Sequence, residues 1–156
     1  MSERKPQEIG ERAFEFAVRV VRLCQMLDKT AGVPSTLANQ LLRSATSVGA
    51  NLEEAKGGQS PADYLSKVFI ALKESRETHY WLRLLIATDI VPEAQLTPLR
   101  EESNELVAIL TTIVKKLKAK STPISPPSGP APRLLQGPPS KSKFLAAGSR
   151  ILLVRR

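Results

Sequence analysis

Apolar residues early in the chain fall at positions 13, 14, 17, 18, 20, 21, 24 and 27, a spacing that fills one broad side of a helix. Glu11, Glu15, Arg19 and Arg22 fall mostly on the other side. The pattern predicts a helix over 8–28, ended by Gly32 and Pro34, neither of which suits a helix interior. A second helix is expected from Ser35 or Thr36, either of which can cap it. Leu37, Leu41, Ala45, Val48 and Leu52 form its stripe, and Gly57-Gly58 stops it. Gly49 lies mid-helix, where glycine costs about 1 kcal/mol against alanine, and is read as a point of close approach to another helix.

The third start signal is the clearest. Ser60 caps, Pro61 sits in the first turn without losing a needed donor, and Asp63 places negative charge at the positive end of the helix dipole. Leu65, Val68, Phe69, Leu72, Ser75, His79, Leu82, Leu85 and Ile86 carry the pattern to about Asp89. Thr97-Pro98 repeats the cap-then-proline device, which predicts a fourth helix from there. Its stripe is Leu99, Leu106, Ile109, Leu110, Ile113 and Leu117, and the lysines from Lys115 to Lys120 complement its negative end.

No hairpin signal interrupts the four helices, and short links favour antiparallel neighbours. The expected fold class is all-α: an antiparallel up-down four-helix bundle over 8–120, followed by a disordered, Pro-rich, basic tail over 121–156. The tail holds seven of the twelve prolines and lacks the apolar surface that would offset its conformational entropy.

A formal charge of +8 ordinarily suggests a nucleic-acid partner, but its distribution changes the picture. Residues 1–120 hold 17 Lys and Arg against 15 Asp and Glu, whereas 121–156 hold 6 basic residues and no acidic one. The expected bundle is nearly neutral, and most of the excess charge is on the tail. A single cysteine, Cys24, excludes an internal disulfide framework and fits a reducing compartment. The N-terminus has no apolar run resembling a signal peptide, and the stretch Leu84-Leu85-Ile86-Ala87 is far short of the ~20 residues that span a bilayer. A cytoplasmic chain with no membrane contact is expected.

Chemistry is sparse. No phosphate loop, nucleophile elbow or zinc-binding motif occurs, so no catalytic residue, metal, cofactor or small-molecule substrate is assigned and no enzyme is expected. With one histidine and one cysteine, a His/Cys metal site is almost excluded, and His79 reads as a hydrogen-bonded core or interface residue. Two constellations remain. Arg43, Ser47, Asn51 and Glu54 share one face of the second helix, and a tight link places Arg43 level with Glu74, with Glu77 and Arg76 one turn away. This polar seam reads either as a structural device fixing register or as a partner-binding groove. Around Tyr80 and Trp81, flanked by Arg76 and Arg83, the choice is between a subunit interface and a patch that stacks nucleic-acid bases.

The run Leu42-Arg43-Ser44-Ala45-Thr46-Ser47-Val48-Gly49-Ala50-Asn51-Leu52-Glu53-Glu54-Ala55, followed by Ile70-Ala71-Leu72-Lys73-Glu74-Ser75-Arg76-Glu77-Thr78-His79-Tyr80-Trp81-Leu82-Arg83, closely resembles one bacterial family of four-helix bundles. Its members include proteins encoded in intervening sequences of 23S ribosomal RNA genes, and the resemblance covers roughly 8–120. It implies a small antiparallel bundle that assembles into homopentamers and has an undefined biochemical role. It also puts Arg43, Ser47, Asn51, Glu54 and Glu77 at the family's recurrent polar positions. A related bundle, the accessory variability protein of diversity-generating retroelements, is a basic pentamer that works with nucleic acid; the present bundle is much nearer neutral. The expected function is thus a non-enzymatic assembly protein, homopentameric by resemblance, with RNA or a ribonucleoprotein as candidate partner. The alternative is a nucleic-acid-binding accessory protein using basic residues of the bundle or tail.

Overall fold

A computed structural model describes residues 8–121; the tail expected over 121–156 lies outside the described residues apart from Ser121. The described chain forms four helices in sequence order: α1 (Ile9–Leu27), α2 (Val33–Lys56), α3 (Pro61–Ala87) and α4 (Glu93–Ser121). Each packs on its neighbour in the chain and α4 closes back on α1, while the backbones of α1 and α3 do not approach one another closely. This is the antiparallel four-helix bundle that the pattern predicts, with α1 and α3 on one diagonal.

The helix starts show where sequence signals hold and where packing overrides them. At α3 the Ser60 side chain accepts a hydrogen bond from the Asp63 backbone N–H at 3.1 Å, as the cap-then-proline pattern requires. α2 begins earlier than expected, at Val33, with Gly32 as its N-cap at φ 96°. Pro34 therefore occupies the first turn, where its missing N–H costs nothing, and does not serve as a terminator. Ser35 donates instead to Asp28 at 2.7 Å, and the Thr36 hydroxyl to the Gly32 carbonyl at 3.1 Å. α4 also begins earlier, at Glu93, so Pro98 lies inside the helix and not at its start. Burial explains this: helical geometry over 93–97 carries Leu96 into the core.

The core divides along the bundle axis. One cluster gathers Phe16, Val20, Leu41, Leu82, Leu85 and Leu106; the other gathers Ala13, Val48, Leu52, Val68, Leu72 and Leu110. On α2 and α3 the residues between the clusters are polar and buried: Ser44, Ser75 and Thr78. The Thr78 hydroxyl lies 3.0 Å from Ser44 Oγ, and Ser44 donates to the Leu41 carbonyl, so this layer ties α2 to α3 at one height. Gly49 faces α1, where a Cβ would meet the backbone of Ala13 and Phe14 at 4.0 Å. The approach is close but leaves room for one methyl. Gly49→Ala is accordingly expected to stabilise the bundle by about 0.5–1 kcal/mol in urea denaturation, through helix propensity alone.

Candidate functional site

α1 is apolar on two sides, and only one faces the core. Ala13, Phe16, Val20, Leu23, Cys24 and Leu27 are buried. Phe14, Ala17, Val18 and Val21 point away and belong to neither core cluster, with Phe14 61% exposed. Together with Thr46, Gly49 and Ala50 of α2 they line a groove of about 740 Å³ on the outside of the bundle. Small residues on α2 make the groove possible, since Gly49 and Ala50 leave the space that longer side chains would fill. Charges sit at its two ends: Glu11, Glu53 and Lys56 at one, Arg22 at the other. The broad stripe read from the sequence merges these outward residues with the core set.

The polar seam lies where α2 and α3 meet. Arg43 pairs with Glu77 at 2.5 Å, one turn beyond the Glu74 level expected. Glu77 also accepts from the Trp81 indole N–H at 3.2 Å. Glu54 pairs with Lys67 at 2.5 Å, and Asn51 donates to the Ser47 carbonyl and hydroxyl at 2.8 and 3.1 Å. Glu74 stands apart, since its Oε2 is sealed from solvent and accepts no hydrogen bond from any described residue. A buried carboxylate oxygen in that condition is uncommon and calls for an explanation.

The aromatic–arginine patch divides. Trp81 is half-buried against the core, whereas Tyr80 is 53% exposed, their rings meeting edge to face at 5.0 Å. Tyr80 continues an exposed row with Phe69, Lys73, Arg76 and Arg83 along α3, and the Lys118 ammonium lies 4.8 Å from the Phe69 ring.

Sequence reasoning does not reach the partners of two polar residues, Arg12 and His79. Arg12 of α1 bonds Glu102 at 2.6 Å and Glu105 on α4, and these two carboxylates hold the guanidinium pKa above its ordinary value. His79 Nδ1 lies 2.8 Å from Ser103 Oγ, and Ser103 donates to the Arg100 carbonyl. With that hydroxyl proton committed, Nδ1 is the donor. Burial, followed by the positive charge of Arg83, lowers the His79 pKa. A depressed histidine gives stability that is full above the unfolded value near 6.5 and is lost as pH falls through the folded value. The urea midpoint should therefore drop between about pH 7.5 and about pH 5.5, and His79→Gln should flatten that drop.

Cys24 is buried, its thiol donates to the Ala38 carbonyl at 3.3 Å, and burial with a contribution from Asp28 pushes its pKa up to about 11. A thiol reagent at about pH 8 should leave it unmodified until the protein is unfolded. Among the described residues no group of three or more His, Cys, Asp or Glu could hold a metal ion, and no helix is long and apolar enough to cross a membrane.

With this geometry in view, the sequence model of the 23S rRNA-intervening sequence protein family matches residues 5–112. The chain belongs to that family. The chain is also similar to a crystal structure from Bacteroides thetaiotaomicron VPI-5482, described as a protein with unknown function from the S23 ribosomal protein family. The two are 41% identical, with a TM-score of 0.64 over 69% of this chain and 99% of that one. No curated protein matches this family member. Both seam and groove fall within the matched residues.

Proposed function

We propose that this chain is a non-catalytic assembly protein: identical bundles joined into a homo-oligomer, pentameric as the family resemblance implies, with RNA or a ribonucleoprotein as partner. The observation that carries the reading is the outer groove of α1 and α2. Phe14, Val18 and Val21 serve neither core cluster, yet they form one contiguous apolar surface, the property that marks a contact with another molecule. The family's description, which names an intervening sequence of 23S rRNA, supports RNA as the class of partner to try first.

Light-scattering mass and the ratio of absorbance at 260 and 280 nm, measured on the full chain and on residues 1–120, test both parts. An oligomeric mass supports the assembly reading, and a monomer at micromolar concentration overturns it. Nucleic acid carried by the shortened chain places the binding surface on the bundle.

The α3 row of Phe69, Lys73, Arg76, Tyr80 and Arg83 supports a second reading, direct binding of single-stranded nucleic acid through stacking and phosphate contacts. It predicts an affinity that falls steeply with salt and is lost on reversing Arg76 and Arg83 to glutamate.

A further inference from the structure

We propose that the cleft between α3 and α4 bordered by His79, Arg83, Arg100 and Asn104 is a binding site for a phosphate group, held between the two guanidinium groups. Such a site needs no second copy of the chain and is independent of the assembly reading. It shares only Arg83 with the α3 row.

Helical spacing brings these residues together. The 2.8 Å contact of His79 with Ser103 fixes the height of α3 against α4. One turn from there toward the link between the two helices, α3 offers Arg83 and α4 offers Arg100. Both arginines line one cavity of about 350 Å³ with His79, Glu101 and Asn104, and every residue that lines it is polar or charged.

Two like charges brought to one cavity repel, and no close carboxylate holds either of them. Arg83 makes no ion pair among the described residues. Arg100 has Glu93 at 3.6 Å and Glu101 at 3.9 Å, both beyond hydrogen-bond distance and both 65% exposed, where ion pairs are weak. His79 registers the resulting field. Burial lowers its pKa most and the charge of Arg83 next; Arg100 acts both ways, its carbonyl raising the pKa and its guanidinium lowering it. On the other side of α3, the α2 residue Arg43 is paired with Glu77. A phosphate group removes the mismatch in the cleft, because each guanidinium presents paired N–H donors in a fork that matches its oxygens. The Asn104 amide supplies a further donor, and Glu101 is the one lining group that opposes an anion. A small phosphorylated molecule and an RNA backbone present the same oxygens.

His79 is the only histidine of the chain, so its ring protons report on the site by NMR in the untagged full-length protein. Inorganic phosphate should raise the pH at which His79 titrates, whereas sodium chloride at equal ionic strength should not, because a bound anion favours the protonated ring. Arg83→Gln and Arg100→Gln should each weaken phosphate binding about tenfold or more, the loss of a charge-assisted hydrogen bond. Glu101→Gln should act in the opposite direction and tighten it about threefold. Arg83 and Glu101 are exposed, so these two variants should keep the fold, checked by circular dichroism. A short single-stranded oligoribonucleotide then separates the sources. Displacement of inorganic phosphate by the RNA assigns the site to a backbone phosphate; phosphate binding that the RNA leaves unchanged assigns it to a small phosphorylated molecule. A His79 titration that phosphate does not move overturns the proposal, as does phosphate binding of equal strength in Arg83→Gln. RNA that binds without moving His79 and survives Arg100→Gln overturns it too, and leaves the α3 row as the nucleic-acid surface.

Discussion

Phe16→Ala is expected to destabilise the bundle by about 3–5 kcal/mol and lower its melting temperature by roughly 10–20 °C. Phe16 is 2% exposed and, among the described residues, is the only phenylalanine in the core, where it joins leucines and valines from all four helices. Truncation removes a large apolar group and leaves a void that those neighbours, anchored on separate helices, fill only in part. The neighbouring change Phe14→Ala gives the control. Phe14 is two residues away, exposed and outside both clusters, so its loss should change monomer stability by only about 0.5 kcal/mol. Its effect should appear in the mass of the assembly. A chemical melt of both variants at a concentration where the protein is dissociated separates the two roles; equal losses would contradict the assignment of opposite faces.

Arg12→Ala is expected to cost about 1–2 kcal/mol, between the value of an exposed pair and that of a buried one. The guanidinium is 24% exposed and holds Glu102, 21% exposed, through Nε at 2.6 Å and Nη2 at 3.1 Å, with Glu105 on the same Nη2. It sits on the thinnest interface of the bundle, since α1 touches α4 over far fewer residues than it touches α2. Removing Arg12 loses the tie and leaves two carboxylates one turn apart with no cation between them. A double-mutant cycle with Glu102→Gln should show a coupling of about 1 kcal/mol, smaller in high salt. No coupling would reduce the contact to an incidental surface pair.

Gly32 and Pro34 illustrate what local signals cannot decide. A proline next to a glycine ends a helix and also begins one, and the two uses look alike in a single chain. Here Gly32 at φ 96° turns the chain and Pro34 enters the new first turn. Pro98 is a sharper case. By pattern it opens α4, yet the burial of Leu96 extends the helix back to Glu93. Candidate site residues follow the same division. Arg43, Glu54 and Glu77 are recognisable as one polar seam, because helical spacing alone aligns them. Their actual partners depended on the register of the α2–α3 link, which moved Arg43 from the level of Glu74 to that of Glu77. Arg12 with Glu102 and His79 with Ser103 carry no local signal, since each pair joins helices far apart in the chain.

What the sequence alone determined is the number and type of elements, many of the positions that α2, α3 and α4 bury, and the family strings on α2 and α3. These follow from periodicity and capping, which act within a few residues. Only the tertiary structure decided which apolar residues of α1 face the core and which line the outer groove, and which residues stand level across the bundle. A helix with apolar residues on two sides can bury either one, and the choice falls to the three helices packed around it.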